Sequence, residues 1–467
     1  MSWQEIAKNF NLEISVIETS DLFGSLRIDP ECYKQDFLTI DGFLEKKNLN
    51  ILKDIARIAD GDHSIFPENQ KNEVRYLRAK DIKDFHLIDD DPVFVNKDYF
   101  DKQKRSHIKE ENILLSIMGT VGGLTITPKG FLPCIANRAI CILKEIKINP
   151  YYLFAYLISD IADKNIKRFK TGGVQERINL EIMETLKIPI ANDLFQEKIE
   201  KIIIESQNLF KENAKKRFEA EQILLKELGL TDYKPNKNNI SVRELMDCLR
   251  DNRFDAEYWQ IKYDELLAKI IKYQTKRLGE IVTHKKGVEV GSEEYAEDGL
   301  PFIRIADFSI DGIDTVEKKI SKELFDALKA NYSPKKGEIL FTKDGTIGIS
   351  YALDEDLNAI VSGAFLRLKP RVKINNEYLA LVLNSMICKM QIERMAGGAI
   401  IAHLKPDNAL NLVIPILSDD KQALIEKKAK EAKKLKTQSK ELLAKAKKAV
   451  EIFIEKDENA AIEYLNQ

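Results

Sequence analysis

The chain contains a long internal repeat with a constant offset of 226 residues. Residues 14–31 recur at 240–257 with eight identities and no gap, at Ile14, Ser15, Val16, Glu18, Asp21, Arg27, Asp29 and Glu31. The run Gly119-Thr120-Val121-Gly122 recurs as Gly345-Thr346-Ile347-Gly348 at the same offset. Solenoid repeats are about 20–50 residues long, so a repeat of this length indicates a duplicated domain.

The same offset extends to the later part of each half. Ile188-Pro189-Ile190 recurs as Ile414-Pro415-Ile416, and Gly172-Gly173 recurs as Gly397-Gly398 one residue out of step. Shared composition alone would scatter such matches over many offsets. The 467 residues are also too many for one compact domain of roughly 100–200 residues. We therefore expect two homologous half-molecules in tandem.

Within each half the pattern predicts an α/β (α+β) globule. Short apolar runs at 113–118 and 339–342 lead into the Gly-Thr-x-Gly turns, which predicts a strand, a turn and a second strand. A phosphate-binding loop is the alternative for these turns, but they lack the lysine and the following helix that it needs. The apolar spacing at 151–161 and 377–392 predicts helices.

A long helix without Gly or Pro is predicted after each Ile-Pro-Ile. The second helix has apolar or small residues at a spacing of seven, interrupted by Lys428 and Ser439, at Ile425, Ala432, Ala446 and Phe453 and at Leu435, Leu442 and Ala449. The first has an apolar face with a period nearer 3.6, at Ile199, Ile203, Phe210, Ala214, Phe218 and Leu225. Each stripe needs a partner, and we expect the two helices to pair with each other.

These features predict five segments. Residues 1–190 form the first globular domain, 191–234 the first long helix and a linker, 235–416 the second globular domain, 417–455 the second long helix, and 456–467 a C-terminal tail.

Overall charge does not indicate nucleic-acid binding, because 73 Lys and Arg balance 75 Asp and Glu. A DNA-binding surface would require charge segregation. The second helix supplies some, since residues 421–450 contain eleven lysines and three glutamates. Such a run is as often a solvated helix face as a phosphate-binding one.

The five cysteines are scattered and form no C-x-x-C pair, which argues against disulfides and a zinc site and favours a reducing cytoplasm. The sequence starts without a leader-like segment and has no apolar run of about 18 residues. We expect a cytoplasmic protein.

Each half also opens with an Arg-x-Asp-x-Glu-x-aromatic stretch, at 27–33 and 253–259. Together with the duplication and the long helices, this arrangement resembles the specificity subunit of type I restriction-modification systems. The resemblance implies two target recognition domains, each reading one half of a split double-stranded DNA site. It also implies that the helices pair as an antiparallel coiled coil, which spaces the domains and docks two methyltransferase subunits. Motor-nuclease (restriction) subunits would complete the complex.

The resemblance places S-adenosylmethionine on the methyltransferase subunits, and ATP with magnesium on the motor subunit, so we expect this chain to bind no cofactor. Asn149-Pro150-Tyr151-Tyr152 is the nearest match to an adenine methyltransferase motif, but it lacks the second proline, and we expect Asn149 to cap a helix. Phosphate-binding-loop, nucleophile-elbow and zinc-protease motifs are absent from the sequence, and the five histidines are dispersed. We expect a non-catalytic subunit without a metal site.

Residues shared by both halves are poor candidates for base readers, because domains that read different bases have no reason to share them. We therefore expect Arg78 with Asp81, and Arg304 with Asp307, to form internal ion pairs. Arg27 with Asp29, and Arg253 with Asp255, are still more strongly expected to be structural.

DNA contacts are expected in loops that differ between the halves. Arg can bind guanine and Gln adenine in the major groove, while Lys more often binds phosphate. The predicted contacts of the first half are Lys104 and Arg105 to phosphate, with Lys167, Arg168, Lys170, Gln175 and Arg177 near the Gly-Gly loop. Those of the second half are His284, Lys285, Lys286, Lys343, Arg394, His403 and Lys405.

A helix of about thirty residues spans ~45 Å at ~1.5 Å per residue, and successive major-groove sites on one face of DNA lie ~34–36 Å apart. Two globules on such helices could read separated, unlike half-sites. One alternative is an interaction scaffold that binds proteins and not DNA. The other is a degenerate methyltransferase, which would bind S-adenosylmethionine by itself.

Overall fold

The computed structural model of the chain describes residues 15, 17, 19, 30–64, 73–83, 85–88, 92–118, 121–168, 177–238, 240–396 and 403–467. The chain divides into two compact units, Met1–Leu209 with Gln438–Gln467, and Phe210–Thr437. Each unit contains one globular half and a segment of both long helices, so the units cross the segment boundaries expected from the sequence.

In the first unit the strands are β1 Leu49–Ile51, β2 Arg57–Asp60, β3 Val74–Leu77, β4 Ile82–Lys83, β5 His86–Leu87, β6 Val93–Val95, β7 His107–Ile108, β8 Ile113–Ser116, β9 Leu124–Ile126, β10 Cys134–Ala136, β11 Ile140–Lys144 and β12 Lys187–Pro189. Its helices are α1 Gln35–Leu44, α2 Leu52–Ile55, α3 Lys97–Lys102, α4 Pro150–Leu157, α5 Asp160–Arg168 and α6 Leu180–Glu184. The long helix α7 Asp193–Glu227 begins here and continues into the second unit.

The first globule is built on two four-stranded sheets with the strand orders β2-β11-β8-β9 and β6-β3-β10-β7. Strands β10 and β3 are parallel, and the first sheet is antiparallel throughout. Strand β8 is buried at every position, because core residues cover both of its faces. Asn149 caps α4 by accepting hydrogen bonds from the backbone N–H groups of Tyr151 and Tyr152, which confirms the predicted cap.

The second unit repeats this order. Its strands are β13 Thr275–Arg277, β14 Val282–Lys286, β15 Tyr295–Ala296, β16 Leu300–Ile303, β17 Phe308–Ser309, β18 Gly312–Ile313, β19 Lys319–Ile320, β20 Ile339–Thr342, β21 Ser350–Ala352, β22 Ile360–Val361, β23 Phe365–Pro370 and β24 Val413–Pro415. Its helices are α8 Leu245–Asp251, α9 Ile261–Ile270, α10 Leu278–Ile281, α11 Lys322–Tyr332, α12 Asn376–Asn384, α13 Met386–Ala396 and α14 Pro406–Leu410. The chain ends with the long helix α15 Asp419–Glu455, which continues into the first unit, and with α16 Glu458–Asn466.

One sheet of the second globule matches that of the first in full, whereas the other shares a parallel pair and differs in its edge strands. The order β14-β23-β20-β21 corresponds to β2-β11-β8-β9, and the parallel pair β16·β22 corresponds to β3·β10. Individual contacts recur as well. The Tyr152 hydroxyl donates to the Pro189 carbonyl at 2.6 Å, and the Tyr378 hydroxyl to the Pro415 carbonyl at 2.7 Å. The expected duplication is therefore confirmed in three dimensions.

Each helix predicted from the apolar spacing at 151–161 and 377–392 is in fact a pair of helices. The break falls at Ser159 in the first unit and at Ser385 in the second. Each serine hydroxyl donates to the carbonyl three residues earlier, of Tyr156 and Val382 respectively. A side chain that bonds to nearby backbone in this way competes with the helix, which accounts for the interruption.

The two long helices pair in both units and run antiparallel in each. In the first unit the rings of Phe195 and Phe453 lie 5.7 Å apart, and Ser206 bonds to Ser439. In the second unit the Asn213 side-chain amide donates to the Ala432 carbonyl at 2.8 Å, and Lys428 pairs with Glu219 at 2.6 Å. The predicted pairing of the helices is confirmed within each unit. None of the helices in the described residues is long and apolar enough to cross a membrane.

The predicted face of the first long helix was wrong in its middle section. Phe218 is 61% exposed and Ala214 is exposed. The buried positions instead follow a spacing of seven through Ile199, Ser206, Asn213 and Ala220. The prediction followed apolar residues alone and so missed Ser206 and Asn213, which are buried because each bonds to the facing helix.

The second long helix corrects the prediction in a similar way. Ser439, expected to interrupt the apolar stripe, is fully buried. Leu443 is buried in place of Leu442. The buried residues Ile425, Ala432, Ser439, Ala446 and Phe453 keep the spacing of seven. The coiled-coil pattern is therefore regular, with polar groups at some of its core positions.

Positions 61 and 287 are equivalent in the repeat. Glycine occupies both because a side chain at either position would collide with backbone. A Cβ atom at Gly61 would lie 1.9 Å from the Asn137 carbonyl oxygen, and one at Gly287 would lie 2.0 Å from that of Ser362. Both glycines adjoin the bridge that joins the two sheets of their globule, Asp62·Asn137 in one and Val288·Ser362 in the other. Only glycine permits this close approach.

We predict that Gly61→Ala and Gly287→Ala each lower the free energy of unfolding by about 1–3 kcal/mol, because the backbone must move to admit the methyl group. Gly42→Ala is the matched control, since it lies in α1 with no atom within 4 Å of its added Cβ. The control should raise stability by about 0.5–1 kcal/mol. Urea unfolding of the three variants checks this, and equal stability of all three would contradict the close-approach argument.

Candidate nucleic-acid interface

The strands that flank each Gly-Thr-x-Gly segment pair as an antiparallel hairpin, as predicted, β8 with β9 and β20 with β21. The turn between β20 and β21 closes with a 2.9 Å hydrogen bond from the Gly348 N–H to the Thr342 carbonyl, and Gly348 has a φ of +85°. In the first unit the Gly122 N–H bonds to the Ser116 carbonyl at 3.0 Å, and Gly122 has a φ of +100°. Such backbone angles favour glycine, which explains why it recurs in both halves. Gly119 and Thr120 lie outside the described residues.

In each half, a later residue of the chain forms a bridge with the residue that precedes the Gly-Thr-x-Gly segment. Met118 forms an antiparallel bridge with Arg177, and Asp344 forms one with His403. Both pairs obey the offset of 226 residues. The backbone geometry is therefore conserved between the halves while the side chains differ, as is expected of domains that present different chemistry to different ligands.

In the second unit this bridge organises three polar side chains. The Asp344 carboxylate pairs with the Lys343 ammonium and accepts a contact from His403 Nδ1. Lys343 is buried, with 9% of its side chain exposed, whereas the His403 side chain is 55% exposed. The Leu404 N–H donates to the Lys343 carbonyl at 2.7 Å. Because Nδ1 is held by the carboxylate, Nε2 is the other ring nitrogen of His403 that can form a hydrogen bond.

Asp344 is a residue that the sequence analysis missed. Basic and amide side chains are the usual donors to bases and phosphates, and a carboxylate is not among them. The comparison of the halves could have revealed it, because Asp344 replaces Met118 at an equivalent position beside the repeated turn.

Three predicted contacts share one exposed strand. His284, Lys285 and Lys286 are all exposed on β14, the edge strand of its sheet. Lysines on an edge strand commonly prevent that strand from pairing with the edge of another sheet. They also form a basic surface that could bind phosphate. Lys405, exposed at the start of α14, is a further cation of the second unit.

Of the predicted contacts in the first unit, Lys104, Arg105, Lys167 and Arg177 lie at the surface. Arg105 is 69% exposed at its side chain and pairs with Asp60 at 2.6 Å. Lys167 pairs with Asp163 at 2.7 Å, one turn earlier in α5. Lys104 and Arg177 are exposed. Lys170 and Gln175 lie outside the described residues, as do Gly172-Gly173 and Gly397-Gly398.

Arg168 does not fit its predicted role as a base contact. It is 5% exposed, and its guanidinium pairs with Asp41 at 2.8 Å and lies over the rings of Tyr33 and Phe37. Burial among aromatic rings and a carboxylate makes this arginine part of the core of its globule.

Arg394 is the repeat equivalent of Arg168 and makes the same kind of contacts. It pairs with Asp264 at 3.0 Å and lies 4.4 Å from the Tyr258 ring centre and 5.5 Å from that of Trp259, with 14% of its side chain exposed. The predicted base contact again does not fit. Both arginines lie over the aromatic residue that ends the Arg-x-Asp-x-Glu-x-aromatic stretch of their half.

The predicted internal ion pairs are confirmed in both halves. Arg78 pairs with Asp81 at 3.0 Å, and Arg304 with Asp307 at 3.3 Å. In each pair the carboxylate also accepts a hydrogen bond from the backbone N–H of its own arginine at 2.9 Å.

Arg253 pairs with Asp255 at 2.5 Å, as predicted. The hydrogen bond from Arg253 lowers the pKa of the Asp255 carboxyl. Arg27 and Asp29, the equivalent pair of the first half, lie outside the described residues.

The described residues contain no cluster of three or more His, Cys, Asp or Glu side chains that could hold a metal ion. Cys134 and Cys141 are buried in strands, and burial raises the pKa of each thiol to about 12. Burial also raises the pKa of the Cys388 thiol. A thiol that stays protonated at neutral pH is a poor nucleophile and a poor metal ligand.

The globule is duplicated and its side chains differ at an equivalent turn, which is the arrangement expected of a two-domain recognition protein. The family model of the type I restriction modification DNA specificity domain matches residues 46–222 and again residues 270–451. These two matches cover well over half of the chain, and the chain belongs to this family. It is a DNA-recognition subunit with two specificity domains.

Solved structures of similar proteins include the type I restriction-modification S subunit from M. genitalium, which is 14% identical, with 90% of this chain and 95% of that chain covered and a TM-score of 0.34. The HsdS subunit from Thermoanaerobacter tengcongensis is also 14% identical, with 90% and 96% covered and a TM-score of 0.28. A third chain, from work on complex assembly and conformational transition of the type I R-M system, is 14% identical, with 90% and 97% covered and a TM-score of 0.28. No curated protein matches the sequence significantly.

We predict that Lys285→Ala with Lys286→Ala weakens binding to target and unrelated DNA by a similar factor and lowers the salt slope by about one for each phosphate that is no longer bound. Both side chains are exposed, so stability should change by less than about 0.5 kcal/mol. Fluorescence anisotropy over a salt series measures the slope. Lys335→Ala is the matched control, an exposed lysine of the same unit that pairs with Asp356. An unchanged slope in the double variant would remove β14 from the interface.

Proposed function

We propose that this chain is the non-catalytic subunit that reads a split DNA target with two unlike halves and positions two methyltransferase subunits on it. The observation that carries this proposal is the repeated bridge beside the hairpin turn. Its backbone is the same in both halves, but the residues are Met118 and Arg177 in one and Asp344 and His403 in the other. Two domains with one geometry and different side chains are suited to reading two different sequences.

The proposed reading mode follows from the chemistry of the exposed side chains. Arg177 can donate two hydrogen bonds to the O6 and N7 atoms of guanine in the major groove. His403, held through Nδ1 by Asp344, offers Nε2 alone. The exposed lysines of the interface bind phosphate and fix the position of the domain without specifying sequence.

The proposed partners are double-stranded DNA, two methyltransferase subunits and motor-nuclease subunits. The duplication supports a number of two methyltransferase subunits, because each of the two equivalent halves can bind one copy. S-adenosylmethionine would be bound by those subunits, and ATP with magnesium by the motor subunit. In this proposal the chain recognises the DNA and positions its partners, and the partners perform the chemistry.

We predict that Arg177→Ala relaxes the base preference of one half-site only, and that His403→Ala relaxes that of the other only. Removal of one base-reading side chain should reduce discrimination by about 1–3 kcal/mol at one position. The measurement is sequencing of methylated adenines in cells that express the chain with its methyltransferase. Each variant is the control for the other.

Relaxation of both half-sites by either variant would contradict separate reading by the two domains. A specific split motif that neither variant changes would show that the bridge residues do not read bases. Absence of any motif with the unaltered chain would instead contradict the proposed function itself.

A further inference from the structure

A two-stranded hairpin of each globule contacts the long helices within its own unit. Strands β4 and β5 form this hairpin in the first unit, and β17 and β18 form it in the second. The two hairpins are equivalent at the offset of 226 residues and have the same register, with Ile82 opposite Leu87 and Phe308 opposite Ile313.

In the second unit the hairpin is held to the helices by ion pairs. Asp311 pairs with Arg217 of α7 at 2.6 Å, and Asp314 pairs with Lys436 of α15 at 3.3 Å. The side chains of Asp311, Asp314 and Lys436 are each only 9–12% exposed. Charged groups shielded from water interact more strongly than surface pairs, so these contacts resist displacement.

Lys436 lies on the buried face of its helix, which is an unusual position for a lysine. It is 7% exposed and follows the buried Ala432 by four residues, within the repeating pattern of the coiled-coil core. A lysine at a core position lowers the stability of helix pairing but specifies one register. Here the ammonium also reaches the Asp311 carbonyl at 3.5 Å, so a lysine of the helix core also contacts the hairpin.

The first unit makes its attachment through a histidine of the hairpin. His86, which is 7% exposed, lies with Nε2 3.4 Å from the Ser439 hydroxyl. Ser439 and Ser206 are fully buried, and each hydroxyl donates to the carbonyl of the other residue at 2.9 Å. The equivalent hairpin therefore contacts a polar position in the helix core here as well.

What the two halves share is the attachment and not the residues that make it. His86 corresponds to Gly312 in the repeat, and Asp311 and Asp314 correspond to Phe85 and Ile88. The attaching side chains are buried against the helices, so they are not available to contact DNA. An element that recurs at the equivalent position and directs side chains to the long helices is suited to holding the domain in place.

We propose that each hairpin is a positioning element that fixes its recognition domain on the helix pair and so limits the number of base pairs tolerated between the half-sites. This proposal rests on the proposed function. One base pair advances the DNA by ~3.4 Å, since about ten base pairs span ~34–36 Å. A domain that could slide or rotate on its helices by that distance would accept a spacer of a different length.

The test is Asp311→Ala with Asp314→Ala, expressed with the methyltransferase. Methylation is measured on plasmids that carry the target with its natural spacer or with one base pair added or removed. We expect the preference for the natural spacer to fall by about tenfold, which corresponds to a loss of about 1.4 kcal/mol. The bases preferred in both half-sites should not change.

Asp326→Ala is the matched control. Asp326 lies in the same globule, and its ion pair at 2.6 Å is with Lys329 of the same helix, three residues later. It should leave the spacer preference unchanged. Arg217→Gln is a milder second variant that leaves Lys436 in place and should lower the preference by about threefold, whereas Arg217→Lys, which keeps the charge, should retain it.

A folded Arg217→Gln or double-alanine variant with an undiminished spacer preference would overturn the proposal. A change in the preferred bases with the spacer preference intact would also overturn it, by making the hairpin part of the reading surface. These outcomes differ from a failure of the proposed function, in which the unaltered chain would direct no methylation to any split target.

Discussion

Pairing of the two long helices is the interaction on which each unit depends. The core of the first unit includes Leu443, Ala446 and Phe453 of α15 together with strands and helices of the first globule. The core of the second includes Ala220 and Leu224 of α7 and Ile425 of α15. Each globule therefore buries apolar surface against the long helices. The two helices that pair with each other are distant in sequence. The helix pair is a structural part of both recognition domains as well as a connection.

The repeat separates residues that support the fold from residues that present chemistry. Shared residues make internal contacts, as Arg78 does with Asp81 and Arg304 with Asp307. Residues that differ occupy the exposed bridge beside the hairpin turn, where Arg177 in one half corresponds to His403 in the other. A duplicated domain can change its ligand in this way without changing its core.

The sequence predicted the duplication, the hairpin turns and the helix pairing, because identities at one offset and long helical periodicity leave a clear pattern. It did not predict the buried polar positions Ser206 and Asn213, because their partners lie on the other helix. The basic character of Arg168 and Arg394 suggested base contacts, although the two residues are equivalent in the repeat. The rule that shared residues are structural would have excluded both, and their burial over aromatic rings agrees with that rule.

The central claim is that the two domains read two different sequences in one target. Its most direct test is to co-express the chain with a candidate methyltransferase subunit and to sequence the methylated adenines of the host genome. The account predicts a single split motif with two unlike halves and a fixed spacer. A soluble complex with the methyltransferase that produces no motif, or a motif with a single continuous block, would contradict it.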